Sequence, residues 1–322
     1  MLAVTATGTD ALRPLEHLGL GEYPEPEPAP GWAKVRVLAT SLNHHDLWTL
    51  RGVGPPGQRL PIVLGSEAAG VDEDGNEVIV YPVISHGEQH ADDTPAPEHS
   101  VLSEVHDGTF AEYLAVPRRN LVRKPPWLSF EEAACLPGTW LTAYSMLFGA
   151  MRLPPGGTVL VQGAGGGVAT ALVCLGAAAG HRVWVTSRSE DKRHRALQLG
   201  AHAAFVPGQR LPERVDAVLE TVGAATWGHS IRSVRAGGRI VVSGATTGSG
   251  PPAELSQVVA RQLSIVGVKL GTLRQLEQLV TFCDQALARP VLNSVLPLCR
   301  AREGFAALDR GDVFGKIVFS LG

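Results

Sequence analysis

Several large classes of protein are excluded by what this chain has little of. Cysteine occurs four times in 322 residues, at Cys135, Cys174, Cys283 and Cys299, and never as a C-x-x-C pair. That spacing argues against a disulfide framework and against a four-thiolate zinc site. No apolar run reaches the roughly 20 residues that a membrane-spanning helix needs. The net charge is −3 and no basic stripe is present, which weighs against nucleic acid or an anionic membrane as partner. The opening segment, MLAVTATGTDALRP, lacks the basic and apolar regions of a secretory signal, so a cytoplasmic protein is expected.

What remains, 44% hydrophobic and 18% charged, is the composition of a globular chain long enough for two domains. The most informative stretch runs from Val159 to Arg188. A β-branched run, Val159–Val161, leads into a glycine cluster at 163–167. A small-residue apolar segment follows from Val168 to Ala179, then Gly180, then a second buried run, Val183–Val185. Strand, glycine turn, helix and strand in about thirty residues form the context that a dinucleotide fingerprint requires. So tight a turn needs positive φ, and the pyrophosphate must approach bare N–H groups at the helix start. Two registers of G-x-G-x-x-[G/A] fit. The one from Gly163 ends on Val168, too large for close packing. The one through Ala164, Gly166, Gly167, Val168 and Ala169 has a small residue at every critical place and is preferred.

The end of the second strand decides between cofactors. An NAD site carries a carboxylate there for the ribose hydroxyl. Here the chain reads Thr186-Ser187-Arg188-Ser189, with Lys192 one helical turn further on. A serine hydroxyl and an arginine fork suit a 2′-phosphate, so NADPH is expected. Glu190 and Asp191 favour the plainer reading of a mixed-charge helix start.

Residues 1–119 read as a β-rich domain punctuated by Pro and Gly, with strands near Ala33–Ala39, Glu77–Val80 and Phe110–Val116. The segment 82–107 is polar and carries His86, His90, His99 and His106, which read as solvated loop histidines. Ser129 and Glu132 resemble a capping box, and Pro137-Gly138 is expected to interrupt the helix that follows. Beyond the dinucleotide unit, Val215–Leu219, Arg239–Ser243 and Leu263–Val268 read as strands of a parallel, doubly wound sheet. The turns Val222-Gly223 and Ser243-Gly244 then flank the nicotinamide half of the ligand. Leu273–Leu287 reads as a helix, and the tail 291–322 as strand, helix, strand folding back on the first domain.

In this order the features resemble the medium-chain dehydrogenase/reductase superfamily over essentially the whole chain, in its zinc-independent quinone oxidoreductase-like branch. The residues that carry the resemblance are Ser41–Asp46 (SLNHHD), Pro61–Gly70 (PIVLGSEAAG), Gly108–Tyr113 (GTFAEY), Leu141–Tyr144 (LTAY), the glycine turn and Gly315–Val318 (GKIV). The resemblance implies an α/β protein: a GroES-like β-rich catalytic domain from 1–119 and 288–322, a Rossmann dinucleotide-binding domain from 120–287, and a homodimer with sheets joined edge to edge.

Departures from the pattern carry the mechanism. Zinc-dependent alcohol dehydrogenases have cysteine where this chain has Asn43, and histidine where it has Ser66. Asn and Ser are poor zinc ligands, and 82–107 has none of the cysteines that often hold a structural zinc, so no metal is expected. His44, His45 and Glu67 suggest a rebuilt metal site, but neighbours on an extended chain face opposite ways. Without a Lewis acid the suitable substrates are electron-poor acceptors, a quinone or an α,β-unsaturated carbonyl (enone). The resemblance makes Asn43 the first candidate to contact nicotinamide or substrate carbonyl. Thr142 is the second, and Asp46 fixes the loop that carries Asn43. The proton donor is left among His45, Tyr144 and water, since some reductases of this branch carry tyrosines shortly after the Asn-x-x-Asp motif, and this chain has Trp48 and no tyrosine between that motif and Tyr81. Two other readings stay open: a zinc-type alcohol dehydrogenase with unusual ligands, and a non-enzymatic NADPH-binding structural or nucleic-acid-binding protein.

Overall fold

A computed structural model describes residues 1–55, 57–85 and 99–322. They divide into two compact units. One comprises Met1–Gly138, Thr272–Thr281 and Leu292–Gly322, and the other Thr139–Gly271 and Phe282–Val291. The α/β class, with a GroES-like β unit and a Rossmann-like parallel sheet, is as the sequence implies. The first unit runs beyond residue 119, because Leu121–Arg123 pairs with Glu77–Val80 and the helix Phe130–Ala133 packs on the same sheet.

In the first unit the strand Trp32–Ser41 is the organising element. Its inward residues Ala33, Val35, Val37 and Ala39 are all buried, the alternation of a half-covered strand. It pairs antiparallel with Ala68–Asp72, with Tyr113–Pro117 and, at its far end, with Lys316–Ser320 from the chain terminus. Leu292–Pro297 lies parallel beside that last strand. A smaller sheet of Leu18–Glu22, Leu2–Ala6 and Ile62–Val63 lies alongside. Phe110, Phe305 and Phe319 fill the core, Phe110 meeting Phe319 edge-on at 5.3 Å. Each such buried ring contributes about 1.5–3 kcal/mol.

The register of Lys316–Ser320 has a functional consequence. Val318 faces Ser41 and Phe319 faces Thr40. Antiparallel pairing continued by two residues brings Lys316 beside Asn43, and Leu42 N–H donates to the Ile317 carbonyl at 2.9 Å.

In the second unit six parallel strands lie in the spatial order 203–205, 182–186, 158–162, 215–220, 234–242, 264–267. The chain order therefore reverses between Thr158–Gln162 and Val215–Glu220, the switch point at which open α/β sheets bind ligands.

Two local expectations are corrected. The segment 82–107 is not wholly an exposed loop: Val83–Ser85 pairs antiparallel with His99–Val101, and Val83, Ile84, Val101 and Leu102 are buried. His86 and His90 lie outside the described residues, while the His106 ring packs at a tilt of 56° against Trp32 with ring centroids 5.3 Å apart. Nor do Pro137 and Gly138 interrupt the helix. Leu136–Trp140 forms a π-helical turn leading directly into Leu141–Tyr144. A widened turn accommodates the proline, which has no N–H to give.

Candidate active site

The glycine turn joins the strand Thr158–Gln162 to the helix Gly167–Ala178. Its positive φ belongs to Gly163, at +83°, a residue outside the preferred register, where a Cβ would stand 2.9 Å from Val222 Cγ2. Within that register Ala164 and Ala169 are buried, Gly166 is exposed as the helix N-cap, and a Cβ on Gly166 would meet open space. The first helical amides, on Gly167, Val168 and Ala169, have no carbonyl to receive them within the helix. An open cradle of bare amides at a helix start fits a dinucleotide pyrophosphate.

At the end of the next strand, Ser187 is buried and Arg188 exposed, while the Ser189 hydroxyl accepts the Lys192 N–H at 3.2 Å. Arg193, which sequence reasoning passed over, donates to the carbonyls of Ser187 at 2.7 Å and Arg188 at 3.2 Å. Arg188, Lys192 and Arg193 thus bring three cationic residues to the end of this strand and the start of the helix that follows.

The third and fourth strand ends are organised by a residue with no motif, Glu220. Its fully buried carboxylate accepts the N–H groups of Val222 at 2.8 Å and Gly223 at 3.1 Å, and the hydroxyls of Thr226 and Ser230. The amides of Val222 and Gly223 are therefore spent inward, and Gly223 is packed so closely on the 245–248 turn that a Cβ would stand 2.6 Å from the Gly248 carbonyl. Ser243 N–H donates to the Glu220 carbonyl, and the Cα of Gly244 packs where a side chain would strike the Thr221 carbonyl. Ser243 Oγ is buried with no partner among the described residues, an orphaned polar atom that a bound ligand can satisfy. Beneath these turns Gln162 links Thr186 Oγ1, Ser230 Oγ and His229 Nδ1 in one buried chain of hydrogen bonds.

The first unit holds the second half of the expected residues. Asn43 precedes the helix His44–Leu50, and Asp46 closes that turn by accepting the Asn43 N–H at 2.8 Å. Its other oxygen accepts the Gly65 N–H at 2.9 Å, which ties the Asn43 loop to Ser66 and Glu67. Burial pushes the Asp46 carboxyl up to about 6, against the pull of His45, the two amides and Lys316. Glu67 is fully buried. Its Oε2 receives the Ser41 hydroxyl and, at 2.9 Å, the Lys316 ammonium. Lys316 also donates to the Leu42 carbonyl at 2.9 Å and to Asn43 Oδ1 at 2.6 Å. Burial and the Lys316 charge hold His44 below the usual histidine range. His45 Nε2 lies 3.4 Å from Glu104 Oε1. Thr142 belongs to the second unit, as does Tyr144, whose ring packs on Phe148 and Phe282.

Comparison with known proteins places this geometry. Residues 29–126 match the alcohol dehydrogenase GroES-like domain and residues 167–285 the zinc-binding dehydrogenase domain. A zinc-type alcohol dehydrogenase-like protein of Schizosaccharomyces pombe is 31% identical over 98% of this chain and 96% of its own. The chain belongs to the medium-chain dehydrogenase/reductase superfamily. It is an oxidoreductase of that superfamily, whose members use a nicotinamide cofactor. An acryloyl-coenzyme A reductase of Metallosphaera sedula is 30% identical over 93% of this chain and 95% of its own. The crystal structure of an NAD-dependent alcohol dehydrogenase superposes with a TM-score of 0.92 at 36% identity, covering 100% of both chains.

Membership raises the question of zinc, and the donor set does not fit that ion. The positions the resemblance assigns to ligands hold an amide and a hydroxyl, Asn43 and Ser66. The Asn43 oxygen and the Glu67 carboxylate are already shared by an ammonium. A dication there would face the positive charge of Lys316 at close range in a buried site, where charges interact strongly.

Proposed function

We propose that this protein is an NADPH-dependent reductase of quinones or α,β-unsaturated carbonyls that works without zinc. The observation that carries the reading is the Lys316 ammonium on Asn43 Oδ1 and Glu67 Oε2, where a metal-dependent relative needs ligands. The bound dinucleotide supplies the hydride; an enone or quinone needs no Lewis acid to accept it.

The chain's own residues then have definite tasks. The amides at Gly167–Ala169 hold the pyrophosphate, and Ser187, Arg188 and Lys192 hold the ribose phosphate. Asn43 donates a hydrogen bond to the oxygen that gains charge as the acceptor is reduced, a donor of the oxyanion-hole kind. Asp46 holds the loop that presents it. The name of the Metallosphaera relative supports this class, since an acryloyl thioester is an α,β-unsaturated carbonyl. Among the described residues the edge strand Ser264–Gly267 is paired on one side, with Ile265 exposed, which supports a homodimer joined through that edge.

Steady-state NADPH oxidation against a panel of quinones, enones and enoyl thioesters tests the reading, with NADH and simple alcohols in parallel. Turnover of at least one electron-poor acceptor is expected. Activity on simple alcohols with NAD⁺, and on none of the panel, would replace it with the alcohol dehydrogenase alternative.

A further inference from the structure

Lys316 has three N–H donors, and the structure provides three acceptors: the Leu42 carbonyl at 2.9 Å, Glu67 Oε2 at 2.9 Å and Asn43 Oδ1 at 2.6 Å. The residue is 3% exposed. Its donors are therefore fully used, and none is left for a substrate. A buried lysine that touches no ligand acts only through what it holds.

What it holds has two different ends. An amide presents an acceptor oxygen on one side and two N–H donors on the other, and a terminal flip exchanges them. An ammonium cannot accept, so the atom of Asn43 that faces Lys316 has to be the oxygen. The Asn43 NH₂ is thereby forced to the opposite side, where its nearest partner is the Ser41 carbonyl at 3.5 Å, a contact at the limit of a hydrogen bond. At least one of its protons is free, on a residue that is only half-buried. Without the cation, the amide could turn and offer an oxygen, which would repel a developing enolate.

We propose that Lys316 is a positioning residue: it fixes the Asn43 amide with its NH₂ outward, so that the site offers the reduced acceptor a donor and never a lone pair. Glu67 and the Leu42 carbonyl hold the ammonium in place, and the Ser41 hydroxyl satisfies Glu67 in turn. The device does locally what a metal ion would do by charge, using a cation that the chain carries itself. It rests on the role proposed above for Asn43 in turnover; the orientation of the amide is separately observable.

The experiment combines two readouts on the full-length protein. In the first, the side-chain ¹⁵N–¹H signal of Asn43, assigned by its loss in Asn43→Ala, is followed in wild type and in the paired variant Lys316→Met/Glu67→Gln. Removing both charges together avoids leaving a carboxylate buried alone. The proposal expects the signal to shift or broaden in the pair, and an unchanged signal overturns it. In the second, turnover is read in a cycle. Asn43→Ala and the pair should each lower kcat by at least about tenfold with NADPH affinity kept, and combining them should cost no more than Asn43→Ala alone. Multiplicative losses overturn the proposal, because Lys316 would then act independently of Asn43. Asn43→Asp preserves an acceptor for Lys316 but has no N–H. It should be as slow as Asn43→Ala, and wild-type turnover in it would equally overturn the proposal. If the amide signal responds as expected and wild type reduces no acceptor, the functional reading fails and the orienting role of Lys316 stands.

Discussion

Asp46 accepts the backbone N–H of Gly65 at 2.9 Å, and this contact joins the loop of Asn43 to the segment bearing Ser66 and Glu67. A buried carboxylate at this junction makes the site sensitive to pH. Burial raises the Asp46 pKa from 3.8 to about 6. Because the folded value is the higher one, its contribution to stability is fully present below about pH 4 and is lost as pH rises through 6. The loss should be about 2–3 kcal/mol. The unfolding free energy of wild type relative to Asp46→Asn, from urea titrations at pH 4 to pH 7, should fall by that amount as pH rises across the window. Parallel curves would mean that Asp46 titrates as it does in the unfolded chain.

Gly163 and Gly166 should respond in opposite ways to the same substitution. Gly163 sits at φ +83° with Val222 in the way, so Gly163→Ala should cost about 2 kcal/mol of stability. Gly166 has φ −75° and open space at the Cβ position. Gly166→Ala should leave stability within about 1 kcal/mol and weaken NADPH binding at least about tenfold, by blocking the amides. Thermal unfolding and NADPH fluorescence titration of the two variants check both halves.

Cofactor choice should reside in Arg188. Removing a charge-assisted contact to a phosphate should raise the KM for NADPH at least about tenfold in Arg188→Ala, with little change for NADH. Kinetics with both cofactors on that variant provide the check, and equal losses for both would assign Arg188 a structural task.

Glu220 should matter to folding more than its absence from any motif suggests. Replacing it with alanine strips a buried acceptor from two amides and two hydroxyls, and chemical denaturation should show a loss of at least about 3 kcal/mol.

The sequence made these features legible to very different degrees. The glycine turn can be read because its demand is local: positive φ and bare amides at a helix start leave a pattern of small residues. Even there, Gly163 rather than a residue of the preferred register bears the positive φ. The Asn43–Asp46 pair is legible because the two residues are three apart and close one turn. Lys316 was visible only as part of a matching tetrapeptide. It reaches Asn43 across 273 residues of chain through the register of a terminal strand, and no local spacing encodes that. Glu220 and Gln162 were missed for the same reason, since their partners lie on other strands and helices. Pro137 misled because a π-helical turn absorbed it.

In the proposed function a lysine-anchored amide, in place of a metal, serves acceptor reduction. Its most direct test is turnover of an enone or quinone by NADPH after exhaustive chelation, with metal content measured on the same sample. An unchanged rate at negligible zinc is expected. Activity that disappears on chelation and returns with stoichiometric zinc would contradict it.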